Sequence, residues 1–422
     1  MAEIPILLIL LGLAAYTVLG GADFGAGLWE LTARGERNAA LRDHTHRAMA
    51  PVWEANHVWL IFALTMCWTC YPEAFTSIAS TLTIPLFVAA IGIIMRGAAY
   101  ALRAGVASAR EEGSISLLFA LSSLLTPFAL GAVVGGIASG RVPVGNAQGD
   151  EITSWLNGSS LLIVTLAVVT SAYLAAVYLA GDARRMGSDD VADAFRRRAL
   201  GAGVAAGAIA AVGPFVLESD APELYEGLTS GAGLAVLLAS AVAGVAALAL
   251  VHGRRYEPAR VAAAVAVLTI VAGWGIAQQP EILPDLTIEQ AAAGDATITA
   301  VLIGFAAGML ILLPSLAYLF GLVLTGRFDP AVPFPAGPGD EGRGDSAATA
   351  APGDAQVQEV SPAADARALL PALVAGAVTA VGAAITFVSD SPLRGIGVAV
   401  MLAGAIACFI TLAALDEADG ER

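Results

Sequence analysis

Apolar and polar positions fall in long blocks along this chain, not in the short alternations of a soluble domain. Windows of about twenty apolar residues, enough to cross a bilayer as a helix, recur from one end to the other. They predict about eleven helices, at roughly 4–30, 50–71, 78–101, 115–139, 159–181, 199–218, 229–252, 260–278, 297–325, 367–389 and 394–415. Between the ninth and tenth lies FDPAVPFPAGPGDEGRGDSAATAAPGDAQVQEVSPAADA, whose Pro, Gly, Ala, Ser and acid content reads as a disordered linker. The pattern therefore divides the chain into a transmembrane bundle (1–325), a cytoplasmic linker (326–366), a helix pair (367–415) and a short cytoplasmic tail (416–422).

Composition agrees with that division. Hydrophobic residues make up 57% of the chain and charged residues only 14%, where a soluble domain carries about a quarter charged. The fold class expected is an all-α integral membrane protein, a polytopic bundle of about nine core helices plus two C-terminal ones. The first apolar run lacks a basic leader and continues past signal-peptide length. The net charge of −15 sits largely in loops and tails and reads as solvated linker.

Charge placement orients the bundle. Every basic residue is an arginine. The connections after the odd-numbered helices hold Arg34, Arg37, Arg42 and Arg47, then Arg103 and Arg110, then Arg184, Arg185, Arg196, Arg197 and Arg198, then Arg254 and Arg255. The even-numbered connections hold little beyond Arg141 and Arg394. By the positive-inside rule the odd connections are cytoplasmic, with the N-terminus outside and the C-terminus inside.

Against this apolar background a few polar residues stand out, because ionisable groups within a membrane are costly and usually serve a purpose. PVWEANHVWLI, at 51–61, opens the second helix with Glu54, Asn56 and His57 between Trp53 and Trp59. At 100° per residue, Trp53, Asn56, His57 and Leu60 share one face. Glu54 lies about 60° from His57, and Trp59 about 140° from Glu54. Glu54 beside His57 can handle protons; the alternative is an interfacial acid that caps the helix start. The two tryptophans also suit a membrane-interface belt.

In GGADFGAG, Gly21 and Gly25 make a small-residue face for close helix packing. Asp23 between them is either an anchor bonded to a neighbouring helix or part of a polar path. Asp295 is placed to cap the ninth helix, which Pro314 interrupts. Cys67 and Cys70 form a CxxC spacing without a second pair or nearby histidines, so neither they nor Cys408 build a metal site or disulfide framework. Four histidines are too few for a multi-haem subunit, and no P-loop, HExxH or nucleic-acid-binding patch is present.

GGADFGAGLW, the arginine-bearing loop, APVWEANHVWLI and YPEAF together resemble the N-terminal signature of subunit II of the cytochrome bd-type quinol oxidases. The likeness extends more loosely through Arg96, Pro280, Pro284, LTIEQAAAGDATIT and LLPSLAYLFG, covering about residues 1–325. It implies a heterodimer with a similar helical bundle, subunit I, which carries haem b and haem d and oxidises quinol. It further implies that this chain binds no cofactor or metal, that Glu54 contributes to a cytoplasmic proton path, and that Trp59 lies near an oxygen entrance. Asp23 is then part of the subunit contact or of the polar path, with His57, Trp53 and Asn56 beside it. WEAN stands where some relatives have WDGN, and the 367–415 helix pair exceeds the family's nine-helix plan; it would cover a flank, replace a small accessory subunit, or play no catalytic part. Membrane lipid and quinone, not nucleic acid, are the remaining partners expected. Intramembrane acids and Gly/Pro-interrupted helices also suit a secondary transporter, the rival reading, and a scaffold without oxidase function is a third.

Overall fold

The structure is a computed structural model that describes residues 1–32, 41, 44–45, 53–102, 109–324 of the chain. Residues 1–329 form one compact unit. The expected linker and the helices at 367–389 and 394–415 lie outside the described residues.

Long helices dominate: α1 (Glu3–Thr32), α2 (Trp53–Cys70), α3 (Pro72–Thr81), α4 (Thr83–Leu102), α5 (Ala109–Ala138), α6 (Gly158–Arg185) and α7 (Asp189–Asp220). Then come α8 (Pro222–Thr229), α9 (Gly231–His252), α10 (Tyr256–Gln278), a small hairpin of β1 (Glu281–Leu283) and β2 (Leu286–Thr287), α11 (Ile288–Ala291) and α12 (Asp295–Leu324). Among the described residues eight helices are long and apolar enough to span a membrane, or nine if α2 and α3 count as one broken span. The fold is thus an all-α polytopic membrane bundle.

Four departures from the sequence pattern have local causes. First, α2 and α3 meet at a bend of 119°. Tyr71 precedes Pro72, and the proline ring disfavours helical backbone at the residue before it while suiting a first helical turn. The chain therefore restarts as a separate short helix, and the third long span begins at Thr83, not at 78. Tyr71 is fully buried at the corner and its hydroxyl donates to the Ala2 carbonyl. Second, α7 starts ten residues before the expected 199, at Asp189. Its DDVADAFRRR opening is helical but too polar for an apolar window, and Asp189 and Asp190 suit the positive end of the helix.

Third, Pro314 does not interrupt the ninth expected span. It lies inside the continuous α12, as prolines in membrane helices often do. Fourth, Asp295 is the first residue of α12 and not its cap; the Gly294 carbonyl accepts from Thr297 and Ile298.

Packing centres on α1, α5, α6 and α7, with α2 and α10 against α1 and α9 against α10. Gly25 shows why α1 and α6 can touch: a Cβ there would overlap the Ser171 carbonyl oxygen, so the small face in GGADFGAG serves close approach as expected. A second cluster joins α2 and α3 to the hairpin through Tyr71, Leu82, Leu283 and Ile288. There the Gly145 and Ala147 N–H groups donate to Ser77 and Ser80 at 2.9 Å. In the same connection, the Thr153 and Ile152 N–H groups on Asp150 hold its carboxyl below the usual range.

Ion pairs sort the two ends of the bundle. At one end Arg254 pairs with Asp193, Arg260 with Asp182, and Arg184 with Asp189. At the other, Arg141 grips Asp220 at 2.7 and 3.2 Å, and the Ser159 N–H donates to the same carboxylate at 2.7 Å. The arginine-rich connections after α6 and α9 thus meet at one end, which also holds the Trp29 end of α1, where the guanidinium of Arg198 lies 5.6 Å from the indole centroid.

Candidate functional site

Arg96 gathers the polar residues of the core. It projects from α4 and is 1% exposed, as is Asp23 on α1. One guanidinium nitrogen donates to Asp23 Oδ1 at 2.6 Å and to the Asp23 carbonyl at 2.9 Å. The other donates to Ser123 Oγ on α5. The flat face of the guanidinium stacks 4.1 Å from the Phe119 ring centroid and 5.1 Å from that of Phe24, a favourable arrangement for a planar cation. Three helices are thereby cross-linked around one charge. Gly27 leaves the room for it, since a Cβ there would strike Ser123 and come within 3.1 Å of the guanidinium.

Next to this pair is a softer cluster. Tyr16, Phe24 and His57 form a triangle with ring centroids 5.9–6.3 Å apart. The Tyr16 hydroxyl lies 3.3 Å from His57 Nδ1, a long hydrogen bond whose direction depends on the histidine tautomer. Asn56 donates from Nδ2 to the Leu19 carbonyl at 3.2 Å. Asn56 and His57 therefore share the α1-facing side of α2, as their helical spacing predicts. With Asn56 opposite Leu19 and His57 opposite Tyr16, the two helices run antiparallel, and the start of α2 falls level with the Gly21–Asp23 part of α1.

Trp59 is half-buried, and its carbonyl lies 3.4 Å from where a Cβ on Gly12 would stand. Trp53 and Glu54 are in the first turn of α2, but their side chains lie outside the described residues. The structure brings together Asp23, Asn56 and His57 among the candidates. Sequence reasoning named Arg96 without recognising it as the partner of Asp23, and it passed over Tyr16 and Ser123. A single arginine in the otherwise uncharged TIPLFVAAIGIIMRGAAYAL was the available signal, because a lone cation inside a span calls for an acid.

Three of the four histidines lie among the described residues, each against another protein group. His44 Nε2 contacts the Leu179 carbonyl at 3.0 Å, His57 Nδ1 faces Tyr16, and His252 lies against Arg196. Among the described residues, no group of three or more His, Cys, Asp or Glu side chains converges as a metal site would.

A multi-span helical chain whose helices are joined by a buried ion pair is an integral membrane protein. The match to known proteins is specific: residues 1–323 fit the family model for cytochrome bd terminal oxidase subunit II, and the chain belongs to that family. A curated relative, the putative cytochrome bd menaquinol oxidase subunit II of Bacillus subtilis (strain 168), is 22% identical over 322 residues, covering 73% of this chain and 91% of its own. Among solved structures, the bd oxidase from Geobacillus thermodenitrificans aligns with a TM-score of 0.63 at 25% identity, covering 77% of this chain and 98% of the matched one. The family places this chain in a terminal oxidase complex with a partner subunit and speaks against the transporter reading.

Proposed function

We propose that this chain serves its oxidase complex by conducting protons and admitting oxygen to haems held by the partner, subunit I, and by forming half of the scaffold. In this reading the complex oxidises a quinol and reduces dioxygen to water. Menaquinol, named for the Bacillus relative, is one such donor. The observation that carries the reading is the polar run beside α1: His57 sits one turn beyond Glu54 on α2 and contacts Tyr16.

Reduction of dioxygen consumes protons, and a proton cannot enter an apolar bundle without exchangeable groups to carry it. Glu54, at the mouth of α2, collects the proton. His57 accepts it at one ring nitrogen and exchanges at Nδ1 with the Tyr16 hydroxyl. The Asp23–Arg96 pair holds α1 and α4 in place, so that Tyr16 and His57 keep their spacing. Trp59, pointing away from Glu54 by helical geometry, serves the separate oxygen entrance.

Orientation follows from the arginines. The end holding Arg184, Arg254 and Arg260 faces the cytoplasm, which puts the N-terminus of α1 outside and Glu54 near the proton-consuming side.

The test is purification through a tag on this chain, followed by a reduced-minus-oxidised spectrum and quinol-driven oxygen uptake. Co-purified b- and d-type haem signals with uptake support the reading. A haem-free preparation that consumes no oxygen, from cells that make the partner, contradicts it.

A further inference from the structure

Arg197 and Arg198 differ from the ion-paired arginines at their end of the bundle. Asp182, Asp189, Asp193 and Glu257 are engaged by Arg184, Arg185, Arg254 and Arg260. Arg196 donates to the Val251 and His252 carbonyls. Neither Arg197 nor Arg198 meets a carboxylate among the described residues. Instead they line a cavity of about 360 Å³ with Leu41 and Ala194. Arg198 is fixed there by aromatic rings, its guanidinium 5.6 Å from the Trp29 centroid and 5.4 Å from that of Phe195.

Depth says what anion belongs in that cavity. The uncharged part of α7 runs from Ala199 to Leu217, which at about 1.5 Å per residue is about 28 Å, close to the thickness of a hydrocarbon core. Arg197 and Arg198 therefore sit at its edge, where lipid phosphates lie. Trp29, whose indole N–H donates to the Ala172 carbonyl at 2.8 Å, is the side chain expected at that level. Below Arg197, the residues seven and eighteen positions on, Val204 and Phe215, fall on the same helical stripe. They are 63% and 74% exposed.

We propose that Arg197 and Arg198 form a binding site for the phosphate of an anionic phospholipid, whose acyl chain lies along the Val204–Phe215 stripe of α7. A cationic cavity at the head and an exposed apolar track beneath it match a lipid at both ends. A soluble anion would use only the first.

The test uses the chain purified in its complex, depleted of lipid in detergent and titrated with phosphatidylglycerol or phosphatidylcholine. Bound lipids are counted by native mass spectrometry. The wild type should take phosphatidylglycerol in preference to phosphatidylcholine, and inorganic phosphate should not displace it. In R197Q/R198Q the affinity for phosphatidylglycerol should fall roughly thirtyfold, from about 1 kcal/mol per cation near an anionic headgroup, while R197K/R198K keeps most of it. Should the double variant fail to assemble, R197Q alone, at an exposed side chain, should weaken binding about fivefold. Equal uptake of the two lipids by the wild type, or unchanged binding in the glutamine variants, would overturn the proposal. Displacement by millimolar phosphate would also overturn it and assign the site to a soluble anion.

Discussion

Two polar sites lie side by side on α1, and they are built to opposite ends. Asp23 and Arg96 are fully buried, joined at 2.6 Å, and flanked by Ser123 and two aromatic faces. Tyr16 and His57 meet at 3.3 Å, and His57 is half-buried. The first site holds two charges that neutralise each other and lock three helices. The second holds exchangeable groups with slack between them. Separating an acid from a buried guanidinium leaves an unpaired charge in apolar surroundings, so an acid in such a pair makes a strong anchor and a poor carrier. A histidine and a phenol in contact can relay a proton, each releasing one on one side as it takes one up on the other. Nearness of acid groups to one another is therefore a poor guide to which of them conducts.

The largest effect should come from breaking the packing that brings both sites together. Gly25→Leu drives a side chain into the Ser171 backbone, and α1 and α6 cannot then approach; the tagged chain should fail to accumulate in membranes. Next is Asp23→Asn, which leaves Arg96 buried without a counter-charge at a cost of about 3–5 kcal/mol. Its melting temperature should fall well below wild type, and the double variant Asp23→Leu/Arg96→Met should recover much of the loss.

His57→Phe keeps the volume of the aromatic triangle but removes its exchangeable nitrogens. It should fold and assemble with less than about 1.5 kcal/mol of destabilisation while oxygen uptake drops severalfold. If Asp23→Asn were the mild change and His57→Phe the destabilising one, the roles assigned to the two sites would have to be exchanged. Smallest of all is Arg184→Ala. This pair is more than half exposed on both sides, and its loss should lie within about 1 kcal/mol, at the limit of measurement.

The bundle itself was legible in the sequence because a bilayer demands long apolar helices, and composition alone reveals them. Gly21 and Gly25 announced a close contact, and the face shared by Asn56 and His57 followed from helical spacing. Three features were not legible. The corner at Tyr71–Pro72 is hidden inside a window that stays apolar on both sides of the break. The polar first ten residues of α7 lower the average that a hydropathy window reads, so the helix looks shorter than it is. Pairing of Asp23 with Arg96 depends on which faces of α1 and α4 meet, and seventy-three positions separate them. Spacing along one helix says nothing about that. Asp23 consequently allowed two readings in sequence, and its enclosure by Arg96 is the observation that favours the anchor.

Proton delivery from the mouth of α2 is the central claim, and Glu54→Gln tests it most directly. Quinol-driven oxygen uptake and the reduced-minus-oxidised haem spectrum are recorded on the same purified complex. The account predicts that uptake collapses while the haem signals keep their wild-type amplitude. Wild-type uptake in Glu54→Gln would contradict it, because protons would then enter elsewhere. Loss of the haem signals together with uptake would contradict it as well, and would make Glu54 a structural residue.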